Sequence, residues 1–309
     1  TQGLHLALAA MDIGMGDEVI VTPYSWISSA SCVLMQNAVP VFCDIEPRTF
    51  GLDPAEVEKQ ITPRTKAIIF VHVFGYPGCI EEIAALARSR DICLIEDASH
   101  VPGAEVNGKK LGTFGDIGVF SLHQRKTLCV GDGGMIVTDN QAVNDRIYRL
   151  RSFGDEELSY NYRMTEFAAA IGRVRLKSLE DENQKRISNG EYLFERMSEM
   201  DCTREERLSP VMPRTGDKGV FYQMLFDFNP QKHTIDLPGF VEAVNQSGVP
   251  VIKTWQPLNE HPNFNRQETP ARGYPWMLDA YQGKTMKTDQ YKDLRLPVAQ
   301  EYLKQRLFE

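Results

Sequence analysis

The 309-residue sequence lacks any hydrophobic run long enough to cross a membrane. Its longest apolar stretches, such as residues 67–74, fall far short of the roughly 20 residues that a spanning helix needs. It also lacks a basic cluster. With 34 Lys and Arg against 42 Asp and Glu, the net charge is −8, which argues against nucleic acid as a partner. Cysteine is sparse and without pattern: the six residues (32, 43, 79, 93, 129 and 202) form no C-x-x-C pair, and the six histidines (5, 72, 100, 123, 233 and 261) show no ligand spacing. Neither a disulfide framework nor a metal site is therefore expected. The thiols read as buried and reduced, which suggests a cytoplasmic location. There is no internal repeat and no low-complexity segment.

What remains is a sequence with 42% hydrophobic residues, enough for a sizeable core and two domains, or one large and one small. Thr1 opens directly into a helix-like run and Glu309 lies within another, so both ends read as cut from a longer polypeptide. Through residue 140, short β-rich runs (18–22, 39–44, 67–73, 93–96, 119–122 and 134–138) alternate with amphipathic stretches (27–36, 54–60 and 80–89). That alternation predicts an α/β fold with a mainly parallel sheet, whose ligands sit at the carboxyl ends of strands. Apolar residues at spacings of three and four, including Phe167, Ile171, Val174 and Leu179, predict one long helix from Met164 to about Met200. Beyond it, strands are expected at 221–228 and 249–253 and a helix at 237–246, with loops at 201–219 and 255–295.

Four segments carry side chains suited to chemistry. Residues 114–138 put Lys126 at the tip of a turn between two apolar runs, with Gly131, Gly133 and Gly134 allowing close backbone approach. An amine attacks an aldehyde only when unprotonated, so a Schiff-base lysine needs such a confined setting, although a lysine in a strand-turn-strand unit is more often solvated. Ser121 lies five residues earlier, within reach of a phosphate. Asp97 follows the apolar run 93–95; a carboxylate there suits a pyridinium nitrogen, and equally a helix N-cap. Trp26, just past the first β-rich run, suits stacking on a flat cofactor or core packing. Thr1, Gln2 and Gly3 open the first helix, where phosphate binds readily, although threonine is also an ordinary N-cap. Asn161 precedes the long helix and reads either as a second phosphate contact or as part of a polar lead-in.

Taken together these segments resemble the DegT/DnrJ/EryC1/StrS sugar aminotransferase family. The matching stretches, in order, are Gly16-Asp17-Glu18-Val19-Ile20-Val21 with Pro23 and Trp26, then Glu96-Asp97-Ala98-Ser99-His100. Phe120-Ser121-Leu122-His123-Gln124-Arg125-Lys126 with Gly131-Asp132-Gly133-Gly134 follows, and then Asn161-Tyr162-Arg163-Met164. The resemblance covers most of residues 1–200 and is patchier afterwards. It implies pyridoxal 5'-phosphate (PLP) as cofactor and the fold-type I architecture. On that basis, residues 1–185 form a large PLP-binding domain with a mainly parallel mixed sheet flanked by helices. Residues 186–309 form a smaller α+β domain.

The resemblance further implies that Lys126 holds PLP as a Schiff base and moves the substrate proton. Asp97 pairs with the pyridine nitrogen, His100 lies near the ring hydroxyl, and Trp26 stacks on the ring. Thr1, the backbone N–H groups of Gln2 and Gly3, and Ser121 hold the phosphate. Asn161 reaches the phosphate across a subunit interface, so a homodimer is implied. Departures are His100 where many members carry glutamine, Asp132 for a frequent glutamate, Gly3 for a frequent alanine, and a short stretch at 152–160. Lys126 separates the chain from members with histidine there, which are dehydratases. The leading expectation is amino transfer from glutamate or glutamine to a ketone on a sugar nucleotide or cyclitol, with Trp255, His261 and Arg163 as candidate substrate contacts. A PLP-dependent dehydratase or lyase, aminohydroxybenzoate-synthase-like enzymes included, and a non-catalytic PLP-binding regulator are the alternatives.

Overall fold

The computed structural model describes residues 1–154, 158–265 and 288–309. Its central sheet has six strands, β1 (Glu18–Val21), β2 (Val39–Phe42), β3 (Thr65–Val71), β4 (Cys93–Asp97), β5 (Ile117–Ser121) and β6 (Gly134–Val137). They run in the order β2-β1-β3-β4-β5-β6. Every neighbouring pair is parallel except β5 and β6. The first four strands match the β-rich runs of the sequence closely because parallel strands covered on both faces are near-continuously apolar. Successive side chains go to opposite faces. Val19, Val21, Ile69, Val71 and Ile95 join one core with Leu4 and Leu8 of helix α1 (Gln2–Ala10). Ile20, Ile68, Phe70 and Leu94 join a second core with Ile80, Ile83 and Ala87 of a helix at Ile80–Ser89.

Helix α1 lies tightly against β5. A Cβ added at Gly3 would come within 2.7 Å of Val119 Cγ1, so glycine permits the N-terminus of α1 to sit beside the end of β5. The helix α2 (Ser28–Met35) follows β1. The expected long helix is present as Glu166–Ser198, with the Thr165 hydroxyl accepting a hydrogen bond from the Ala168 N–H at 3.2 Å. The expected division at 185/186 falls inside this helix. Beyond it lies an antiparallel sheet of Leu208–Pro210, Phe226–Phe228 and Leu307–Phe308, on which Phe240, Val241 and Val244 of a helix at Leu237–Gln246 pack.

Several expectations are corrected. Residues 249–253 form no strand: the Val251 N–H goes to the Asn245 side chain at 3.1 Å, and Lys253 makes only an isolated bridge to Phe308. The strand expected at 221–228 is confined to Phe226–Phe228, because Phe221 has φ 45° and the Gln223 N–H turns instead to Phe74 O at 3.1 Å. The expected loop at 201–219 contains a helical turn at Asp201–Arg204 and the strand Leu208–Pro210. Within 255–295, 3₁₀ turns occur at Leu258–Glu260, Pro262–Phe264 and Thr288–Asp293; positions 266–287, like 155–157 of the short stretch at 152–160, lie outside the described residues. All six cysteines are free, but only Cys32, Cys43 and Cys79 are buried; Cys93, Cys129 and Cys202 are half-buried.

Candidate active site

The carboxyl ends of β1, β3, β4 and β5 share one edge of the sheet, and β4 delivers the acidic pair. Alternation sends Glu96 and Asp97 to opposite faces. Asp97 is buried; its Oδ2 accepts from the Ser29 hydroxyl of α2 at 2.9 Å, and its Oδ1 accepts from the Ser99 N–H at 3.2 Å. Glu96 is fully buried and accepts four hydrogen bonds: from the N–H groups of Gly112, Phe114 and Gly115 at 2.7, 2.6 and 2.8 Å, and from His72 Nε2 at 2.9 Å. Burial pushes its pKa up, but His72 and the backbone donors outweigh that and hold it below the usual carboxylate range. His72 Nδ1 must also donate, because its partner at 2.9 Å is the Pro77 carbonyl.

Lys126 stands in the turn after β5, half-buried, its backbone N–H donating to His123 O at 2.8 Å. Burial lowers its pKa from 10.5 to about 8, and the Asp97 carboxylate partly opposes that fall. No carboxylate pairs with its Nζ among the described residues. Instead Nζ sits 4.8 Å from the centroid of the Tyr222 ring. Tyr222 stacks on His100 (4.4 Å, 8°), which stacks on Phe74 (5.6 Å, 7°). The Phe74 N–H donates to His100 Nδ1 at 3.1 Å, so the ring proton is on Nε2. Burial, then the charges of Lys126 and His72, hold His100 well below its ordinary pKa, so it stays neutral. Trp255 closes the cluster against Phe74 (4.6 Å) and Trp26 (6.1 Å).

The opposite wall is open. Trp26 is 61% exposed, and its one ring contact among the described residues is edge-on to Trp255. Thr1 is exposed and makes no capping bond; its hydroxyl meets that of Ser28 at 2.5 Å. Gln2 is exposed, while Gly3 and Ser121 are half-buried, and the Ser121 hydroxyl makes a long 3.4 Å contact with the His123 N–H. Asn161 is exposed and touches none of these residues; its Oδ1 accepts from Arg163 Nε at 3.3 Å. Arg163 lies over the Phe153 ring, 3.5 Å from its centroid. His261 caps the turn at Pro262–Phe264, accepting from the Asn263 N–H at 3.2 Å, and makes no contact with the cluster.

The structure thus brings Lys126, Asp97, His100 and Trp255 into one buried to half-buried cluster and leaves Trp26 at its rim. Sequence reasoning missed Tyr222, Phe74 and Ser29. Tyr222 reaches the cluster because Gly75, at φ 103°, lets the turn after β3 approach so closely that a Cβ there would be 2.8 Å from the Tyr222 N. No periodicity reports such a contact; only Gly75 itself, in a β-strand-to-helix connection, hints at it.

A family model for the DegT/DnrJ/EryC1/StrS aminotransferase family matches residues 1–295. L-Glutamine:scyllo-inosose aminotransferase of Streptomyces griseus is 35% identical over 292 residues, which are 88% of this chain and 68% of that protein. GDP-perosamine synthase of Escherichia coli O157:H7 is 40% identical over 189 residues, which are 59% of this chain and 52% of that protein. Among solved structures, NtdA of Bacillus subtilis with bound cofactor PMP superposes with a TM-score of 0.82 at 25% identity, covering 99% of this chain and 66% of that one. The chain therefore belongs to the DegT/DnrJ/EryC1/StrS aminotransferase family.

Proposed function

We propose that the chain is a PLP-dependent aminotransferase that moves an amino group from glutamate or glutamine to a ketone on a polyhydroxylated ring, either a sugar nucleotide or a cyclitol. The observation that carries this reading is Lys126: an amine at a strand end, desolvated to a pKa of about 8, with no carboxylate bound to it among the described residues. The rest of the site fits PLP. His100 presents an Nε2–H with no partner among the described residues, Trp26 offers an open ring face, and the N-terminus of α1 has unoccupied N–H groups. PLP, when bound, supplies an aldehyde carbon and an electron-withdrawing ring.

The residues then divide the work. Asp97, held by Ser29 and Ser99, fixes a negative charge for the ring nitrogen. His100 Nε2–H would donate to the ring oxygen, and Trp26 would cover the ring. Thr1, Gln2, Gly3 and Ser121 would hold the phosphate. Lys126 Nζ would take and return the proton at the donor's Cα. PMP, seen in the B. subtilis protein, is the amine-bearing form such a transfer leaves, and the S. griseus relative's name specifies glutamine as donor.

The reading includes a homodimer. Phe167, 85% exposed, together with Ile171 and Val174 forms an uncovered apolar stripe at the start of the long helix, and Leu158 and Phe153 just before it are also exposed. The free cysteines support a reducing, cytoplasmic compartment. The decisive experiment is an absorbance spectrum with PLP before and after adding L-glutamate and L-glutamine. A visible band that converts to near-ultraviolet absorbance establishes the amino-transfer half-reaction; a band unmoved by either donor refutes the donor assignment.

A further inference from the structure

The segment that carries Asn161 is tied to α1 by a polar and aromatic cluster with no part in the chemistry above. The Gln36 Nε2 donates to Ile13 O at 3.1 Å, which fixes its amide so that Oε1 can only accept. Oε1 takes His5 Nε2–H at 2.9 Å and the Tyr160 hydroxyl at 3.3 Å. With its proton on Nε2, His5 leaves Nδ1 to accept from the Tyr162 hydroxyl at 3.3 Å. Tyr160 and Tyr162 stack on each other (4.9 Å, 7°), and both lie against the His5 ring (4.8 and 6.0 Å). The Tyr160 and Tyr162 N–H groups donate to Leu150 O and Arg151 O at 2.7 and 3.1 Å. His5 is 3% exposed, and burial lowers its pKa, so it stays neutral.

Alternation along this extended segment has a consequence. With Tyr160 and Tyr162 turned inward onto α1, Asn161 and Arg163 point out, and both are exposed. Asn161 therefore faces away from the N-terminus of its own α1. We propose that His5, Gln36, Tyr160 and Tyr162 are positioning residues that hold Asn161 outward for the cofactor phosphate of a second copy of this chain, through the contacts of His5 with Tyr160 and Tyr162. This rests on the PLP-and-dimer reading above.

The test compares PLP with pyridoxal, which lacks the phosphate, by absorbance titration of cofactor-free protein. The ratio of the two affinities isolates the phosphate grip, whereas general loosening of the fold weakens both. Asn161→Ala should lower the ratio by about tenfold, the value of a charge-assisted hydrogen bond. Tyr162→Phe, which removes only the hydroxyl bound to His5, should lower it as well, and Tyr160→Phe serves as an independent second variant. The double variant Asn161→Ala with Tyr162→Phe should fall no further than Asn161→Ala alone. Additive losses would mean that the cluster acts through α1 of its own chain, and would overturn the inference. So would an unchanged ratio in both tyrosine variants beside a lowered one in Asn161→Ala. An unchanged ratio in Asn161→Ala itself would refute the phosphate role of Asn161, and with it the reading on which the inference rests.

Discussion

The two walls of the site differ in how far the chain itself completes them. On the inner wall, Asp97 is bonded by Ser29 and Ser99, and His100 is clamped between Phe74 and Tyr222 with its tautomer fixed by a backbone N–H; on the other face of β4, Glu96 anchors the strand with four donors. On the outer wall, Thr1, Gln2 and Trp26 are exposed and make few contacts. The inner wall holds its charges and donors in place before any ligand arrives, the arrangement electrostatic catalysis requires. The outer wall is open, as the proposed cofactor and second subunit would require. Substitutions on the inner wall should therefore damage chemistry or folding, and those on the outer wall should damage binding alone.

The largest expected effect is at Lys126. Lys126→Ala should abolish the visible band of lysine-bound PLP and lower turnover by at least about 10⁴-fold, since general acid–base catalysis alone contributes about 10²–10⁴. Unfolding curves should barely change, because the side chain is only half-buried. A retained visible band would remove Lys126 from the centre of the site.

Next comes Glu96, which touches no candidate ligand position but anchors β4. Glu96→Ala would leave His72, wholly buried, without its anion, together with three unpaired N–H groups. Breaking such a pair costs about 3–5 kcal/mol, measurable as a lower midpoint in urea. A loss below about 1 kcal/mol, the usual worth of an exposed pair, would show that the inner wall does not depend on this network.

The inner wall was also the more legible in the sequence, for a physical reason. Asp97 and Lys126 each follow an apolar run, and in a parallel sheet the end of such a run is the ligand-facing edge. The first four strands were found within a few residues because burial on both faces leaves a continuous apolar signal. What escaped depends on contacts distant in sequence: Tyr222 arrives from a segment with positive φ at Phe221, held by Gly75 and not by a ladder. The strand expected at 249–253 failed similarly: the Asn245 side chain binds the N–H and C=O of Val251, and backbone pairing with 307–309 begins only at Ile252. The spacing of Phe167, Ile171 and Val174 was read correctly as helical, yet periodicity alone does not say that the stripe faces out.

The comparison sharpens with pH. Below a pKa of about 8 Lys126 is protonated, and only the neutral amine attacks an aldehyde. The rate at which cofactor-free protein captures PLP should thus rise about tenfold per pH unit up to about 8 and level off above it. A solvated lysine would keep gaining until about 10.5. Because Asp97 raises the Lys126 pKa, Asp97→Asn should move the plateau to lower pH. Stopped-flow absorbance across pH 6–10 reads both effects, and a rate still climbing at pH 10 would mean that the inner wall does not desolvate the amine.

The smallest effect belongs to the outer wall and separates the two most cleanly. Trp26 has most of its surface in solvent, so Trp26→Ala removes little buried area, and its unfolding midpoint should stay within the ±0.5 kcal/mol typical of surface changes. Aromatic stacking is worth about 0.5–1.5 kcal/mol beyond area burial, so PLP affinity should fall by about three- to tenfold. That pairing of unchanged stability with weakened binding is what an open face awaiting a ring requires. A substantial drop in stability would mean instead that the edge contact with Trp255 holds the rim together, and that Trp26 belongs to the inner wall after all.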